Sequence, residues 1–214
     1  HQSDSLPSGT VNSVMTDIEG STALWDREPI VMADALARHD ELVATAVASA
    51  GGVLLKHKGE GDSTMSVFAT AAAGVDAALR IQRMIRAEPW PSACPVNVRV
   101  AVATGEVELR DGDYFGPAVN RAARIRGAAS GGQTVLGATT HALVADSLDP
   151  SLALRSLGEH QLAGLARPEH IWELDDARAR PSDPDAAGPR PDDLVVPFPD
   201  LLGGGGVGGV GGFA

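Results

Sequence analysis

Alternation of apolar and polar positions is strongest in "VNVRVAVATGEVEL", where Val96, Val98, Val100 and Val102 recur at every second residue, as a strand requires. "TVNSVMTDI", residues 10–18, is an earlier strand candidate. Between Ile30 and Ala50 the period changes. Met32, Leu36, Val43, Val47 and Ala50 fall near helical spacing, and Gly51 and Gly52 follow as helix-ending residues. "LLKHKGEGDSTMSVF", Leu54 to Phe68, has apolar arms around a polar, glycine-containing centre and predicts a β-hairpin. "EGSTALWDR" predicts a short helix with Ser21 and Thr22 placed to cap it. "AAAGVDAALRIQRMIRAE" predicts a long helix ended before Pro89, and "GPAVNRAARIRGAA" a helix with Pro117 in its first turn. A strand at "QTVLG", a short helix through "ATTHALVA", and strands around "LALRSLG" and "HIWEL" complete the series.

That order predicts an α+β fold of the split βαβ or ferredoxin-like kind (βαββαβ-derived), with helices packed on one face of a mixed, mainly antiparallel sheet. The folded unit is expected over residues 10–174. From 175 to 214 the chain turns rich in proline and aspartate, then low in complexity at "LLGGGGVGGVGGFA". Such a segment buries too little apolar area to offset its ordering entropy, so a disordered linker or tail is expected.

Charge and cysteine content narrow the function. A formal net charge of −11 over 214 residues argues against nucleic acid as a partner, since no basic stripe is present to neutralise phosphates. Cys94 is the single cysteine, so neither an internal disulfide nor a cysteine-built zinc site is available. No apolar run approaches the roughly 20 residues that span a bilayer. No membrane span and a cytoplasmic location are therefore expected. Neither GxGxxG nor GxxxxGK[ST] occurs, which removes the Rossmann and P-loop modes of nucleotide binding.

Three clusters could carry chemistry. In "TDIEGST", Asp17 ends a strand, and Gly20, Ser21 and Thr22 bring backbone N–H groups and a helix start to the same place, suited to an anion. A carboxylate there could hold a hard cation bridging to that anion. It could equally cap the helix. Asp62 opens the second arm of the hairpin. If the two strands are neighbours, it meets Asp17 at one sheet edge, where two carboxylates can hold a metal pair. The alternative is a turn aspartate satisfied by backbone N–H groups. On the helix after Gly116, Asn120 and Arg124 stand four apart and share a face, either as a phosphate-facing pair or as surface polar residues. Arg121 and Arg126 lie on other faces and are expected to be solvated.

Taken together, "TDIEGST", "K-x-x-G-D-S" and "D-Y-F-G-x-x-V-N-x-A-A-R" resemble the class III nucleotidyl cyclase catalytic domain, in its bacterial, especially actinobacterial, branch. The resemblance covers about residues 10–174. It implies that Asp17, Asp62 and the backbone carbonyl of Ile18 bind two divalent cations, Mg²⁺ or Mn²⁺. Lys58 and Asp113 would read the purine, a pair similar to that of adenine-selective members. Asn120 would orient the ribose and Arg124 would stabilise charge on the α-phosphate. The implied activity is that of an adenylate cyclase, converting ATP to 3′,5′-cyclic AMP and pyrophosphate in a homodimer with two shared active sites. A guanylyl cyclase, or a nucleotide-binding cyclase-like signalling domain with weak catalysis, are the alternatives.

The chain also departs from the family pattern. Ala163 stands where a lysine for the terminal phosphates is common, with Arg167 as a possible replacement. The segment between Glu106 and Asp113 is short, so no extended dimerisation arm is expected.

Overall fold

The computed structural model describes residues 6–55 and 61–177. The first strand, β1 (Gly9–Ile18), is followed by α1 (Ser21–Arg27) and α2 (Pro29–Ser49). A hairpin of β2 (Val53–Leu55) and β3 (Thr64–Phe68) leads to α3 (Ala71–Ala87) and the long β4 (Val98–Arg110). Then come β5 (Asp113–Phe115), α4 (Pro117–Gly127), β6 (Thr134–Gly137), α5 (Ala138–Val144), β7 (Leu152–His160) and β8 (Glu169–Asp176).

The sheet runs β2-β3-β1-β4-β6-β8-β7, with β5 paired to the end of β4. Its first four strands stand in the order of the ferredoxin-like βαββαβ unit, all antiparallel. The β4–β6 pair is parallel, because α4 carries the chain back across the sheet between them. The predicted α+β class with a mixed sheet is therefore the observed one.

The expectation that helices cover one face does not hold. Side chains alternate across each strand, and both alternating sets are buried. Val14, Val98, Val100 and Val102 pack with α2 and α3. Val11, Met15, Ala101 and Ala103 pack on the opposite face with Ala122 and Ile125 of α4. That second face was hard to foresee because α4 contributes mostly small residues to it.

Gly105 is what lets α4 sit so close. A Cβ added there would lie 2.7 Å from the Cβ of Ala118, far inside a normal contact. β4 runs one residue past the Leu109 that closes the predicted strand. From Arg110 the chain turns through Asp111 and Gly112, both at positive φ, and returns as β5. Two positive φ values in a two-residue loop match the twist of paired strands. This hairpin leaves Leu109 and Phe115 partly exposed.

At the other end, β8 extends through Asp176, beyond the expected close of the unit at residue 174. Residues 178–214, which include nearly all of the expected tail, lie outside the described residues.

Candidate active site

Asp17 lies in the last two residues of β1, directly across from Arg99 of β4. The two side chains share the sheet face that α4 covers. Arg99 grips the carboxylate from both sides, Nε donating to Oδ1 at 2.8 Å and Nη2 to Oδ2 at 2.6 Å. This two-pronged, charge-assisted geometry is the strongest form of the pair, and it holds the Arg99 guanidinium above its ordinary pKa. Asp17 is only 7% exposed, so an unpaired carboxylate would be costly there.

A second arginine reaches the same carboxylate. Arg126, in the last turn of α4, places Nε 3.3 Å from Asp17 Oδ2. Its Nη1 donates weakly to the backbone oxygen of Thr16 at 3.4 Å. Arg126 was expected to be solvated, and the structure corrects this: its side chain is 18% exposed. Sequence spacing put it off the Asn120–Arg124 face correctly, but could not show that this other face lies over β1. Arg121, also expected to be solvated, is half-exposed and stands 3.7 Å from Glu169.

Asp62 does reach the same sheet edge. It does not open the strand, since β3 begins at Thr64, but sits half-buried in the preceding turn. Its Oδ2 accepts the backbone N–H of Ile18 at 2.7 Å, tying the hairpin to the end of β1. Neighbouring Thr16 and Thr64 hydroxyls are 2.6 Å apart and hold the same two strands in register. Asp17, one residue before the end of β1, and Asp62, two residues before β3, are thus brought close through the Ile18 N–H.

The turn that follows is tightly held. Gly20 takes a left-handed conformation with φ of 67°, which favours glycine and starts α1 without any side-chain cap. Ser21 and Thr22 are thus the first helical residues, not caps, which corrects the expectation. Glu19 was not singled out from sequence. Its N–H donates to the Asn97 oxygen at 2.9 Å, and its Oε1 accepts the Gly131 N–H at 2.9 Å. The "DIEGST" turn is so braced against the start of β4 and the loop after α4.

The remaining predicted residues lie elsewhere. Asn120 and Arg124 are exposed on α4, opposite the buried Ala122 and Ile125. Asp113 is exposed at the start of β5, where its Oδ1 accepts the N–H of Tyr114 at 2.8 Å. Among the described residues, no hydrogen bond or ion pair joins these three to Asp17 or Asp62. Lys58 falls outside the described residues. Ala163 and Arg167 are exposed in the β7–β8 connection.

A cavity of about 290 Å³ lies between α3 and the α5–β7 connection, lined by Val75, Leu79, Leu148 and Leu152 together with Asp76, Arg83 and Asp149. None of the predicted site residues borders it. Its lining mixes polar and apolar side chains, so its distance from Asp17 and Asp62, not its chemistry, sets it apart from the carboxylate–arginine cluster.

Comparison with known proteins agrees with the geometry. The model of the adenylate and guanylate cyclase catalytic domain matches residues 4–174. An uncharacterised protein of Mycobacterium tuberculosis is 42% identical over 168 residues, covering 78% of this chain and 56% of that protein. The chain thus spans little more than half the length of that relative. The adenylate cyclase of Schizosaccharomyces pombe is 30% identical over 63% of this chain and 9% of its own. Among solved structures, an adenylate cyclase of Trypanosoma brucei in its monomeric state superposes with a TM-score of 0.70 at 25% identity, covering 84% of this chain and 95% of that one. An adenylate/guanylate cyclase/hydrolase from Silicibacter pomeroyi gives 0.65 at 29% identity, covering 77% and 95%. With its sheet order, its paired strand-end aspartates and a family match across nearly all of the described residues, this chain belongs to the adenylate and guanylate cyclase catalytic domain family.

Proposed function

We propose that this domain is an adenylate cyclase that forms 3′,5′-cyclic AMP and pyrophosphate from ATP at a site shared by two copies of the chain. The observation that supports the reading is the hydrogen bond that ties Asp62, in the turn before β3, to the N–H of Ile18, the residue after Asp17 on the adjacent strand β1. Asn120, Arg124 and Asp113 stay exposed and, among the described residues, share no hydrogen bond or ion pair with them. One copy therefore presents two half-sites, and a two-fold dimer brings each half to the other's complement.

The donor set fits hard divalent cations such as Mg²⁺ or Mn²⁺. Asp17, Asp62 and the Ile18 carbonyl offer only oxygen, and such ions take one or two carboxylates with phosphate oxygens completing the shell. Among the described residues no cluster of three or more histidine, cysteine or acidic side chains competes for the ion. Bound there, the cations supply acidification of the ribose 3′-hydroxyl and charge neutralisation on the phosphates. The braced Gly20–Ser21–Thr22 turn presents its N–H groups to the terminal phosphates. From the partner copy, Asn120 orients the ribose and Arg124 donates to the α-phosphate as its charge grows. Lys58 and Asp113 read adenine, the lysine donating to N1 and the aspartate accepting from the amino group. With alanine at 163, the terminal phosphates rest on the turn and the cations, or on Arg167.

Mixing two inactive variants tests this. Asp17→Ala and Arg124→Ala chains should each lack turnover of ATP. Their mixture should regain activity, because a heterodimer contains one intact site of two. Two active single variants would refute the assigned roles, and a silent mixture would refute the shared site.

A further inference from the structure

We propose that Arg126 stands in for a cation at Asp17 and is displaced when a divalent ion binds there. The inference rests on the reading of Asp17 and Asp62 as metal ligands and adds a competitor from the chain itself.

Charge balance points to it. Two carboxylates, Asp17 and Asp62, face two guanidinium groups, Arg99 and Arg126, and the exposed carboxylate of Glu19 also acts on Arg99. A divalent ion entering beside both arginines would turn this balance to surplus positive charge in a largely buried place, and like charges at such range repel strongly. The more loosely held arginine is the one to leave.

The contacts say which. Arg99 is a strand residue paired across from Asp17, with two short, aligned hydrogen bonds. Arg126 has only a 3.3 Å approach to Oδ2, without hydrogen-bond alignment, and a 3.4 Å contact to the Thr16 oxygen. Its Nε is buried with no hydrogen-bond partner, an unfavourable state for a charged donor. Arg126 is the loosely held group, and it sits at the end of a helix whose long side chain can swing outward. Arg126 also lies two residues after Arg124 on α4. Its release would couple cation binding in one half-site to the helix that serves the other. By linkage, whatever draws Arg126 away also tightens the ion.

Binding of Mn²⁺ without nucleotide, followed by electron paramagnetic resonance or calorimetry, tests the proposal. Arg126→Gln should bind Mn²⁺ about tenfold more tightly than the wild-type chain, since one opposing charge is gone. Arg121→Gln removes the same formal charge away from Asp17 and should leave the affinity within about twofold. Asp17→Asn, introduced into either background, should abolish the binding. If Arg126→Gln binds no more tightly while Asp17→Asn still abolishes binding, the competitor role is overturned and the metal site stands. If binding is undiminished by Asp17→Asn, the metal assignment itself falls and the proposal with it. A measurement on the wild-type chain guards against misfolding of the variant. Saturating Mg²⁺ should move the Nε–H resonance of Arg126 to that of a solvated arginine with fast solvent exchange, while the Arg99 Nε–H stays protected from exchange, and an Arg126 signal that does neither overturns the proposal.

Discussion

Replacing Asp17 with asparagine has opposite effects on stability under two descriptions of the site. Where acidic ligands crowd a metal site, mutual repulsion makes neutralising one of them stabilising in the absence of metal. Here Asp17 is the counter-ion of two arginines and is 7% exposed. Asparagine would leave Arg99 and Arg126 facing each other across a neutral amide. Removing one partner of a buried ion pair costs roughly 3–5 kcal/mol, and the 29% exposure of Arg99 places the loss near the low end, about 3 kcal/mol. For a domain of this size that lowers the melting temperature by about 6–12 °C. Urea unfolding of both proteins in EDTA, at constant m-value, measures it. Asp62→Asn is the internal control. Its one hydrogen bond, from the Ile18 N–H, can be accepted by an amide oxygen, so its loss should stay below about 1 kcal/mol. An Asp17→Asn protein as stable as the wild type, or more so, would refute the account of the arginine cluster.

Other consequences follow from the packing and the proposed reading. Gly105→Ala drives a Cβ to 2.7 Å from that of Ala118, which should cost about 1–3 kcal/mol and, by lifting α4, reduce cyclase turnover as well. Denaturant unfolding and a rate assay on one preparation would show both effects. Tyr114 is the chain's one tyrosine and is buried, its hydroxyl donating to the Pro7 oxygen. Burial pushes its pKa above the ordinary value near 10. Absorbance at 295 nm should titrate late in the folded protein. Because the neutral phenol is favoured in the fold, this contribution is complete below pH 10 and is lost as pH rises through the folded pKa. Lys58→Glu should lower ATP turnover by about tenfold or more and narrow the preference over GTP, because an acceptor then faces adenine N1. Parallel assays with the two nucleotides measure the ratio.

The strands and long helices were legible because each follows one period. Val98, Val100 and Val102 alternate because the large side chains of β4 sit under α2 and α3 while small Ala101 and Ala103 face α4, and Met32, Val43 and Val47 recur at helical spacing because one face of α2 is buried. The second buried face was not legible. Ala122 and Ile125 are the only buried side chains of α4 and give it little apolar signal, and the arginines around them read as a solvated surface. The site was half legible. Asp17 and Asp62 could be placed at one edge once their strands were taken as neighbours. Their actual partners could not, since Arg99 is 82 residues from Asp17 in sequence and its pairing depends on strand register. Glu19 was hidden for the same reason, as its brace is to a loop 112 residues away. Cap chemistry misled at Ser21 because a left-handed Gly20 can start a helix without a side-chain oxygen.

Product analysis of the wild-type chain with Mn²⁺ and either ATP or GTP tests the central claim most directly. The account predicts cyclic AMP and pyrophosphate in equal amounts from ATP, and cyclisation of GTP slower by about tenfold or more. Asp17→Ala should abolish both. Cyclic GMP as the main product would contradict the adenine reading, and formation of neither cyclic nucleotide would contradict the proposed catalysis.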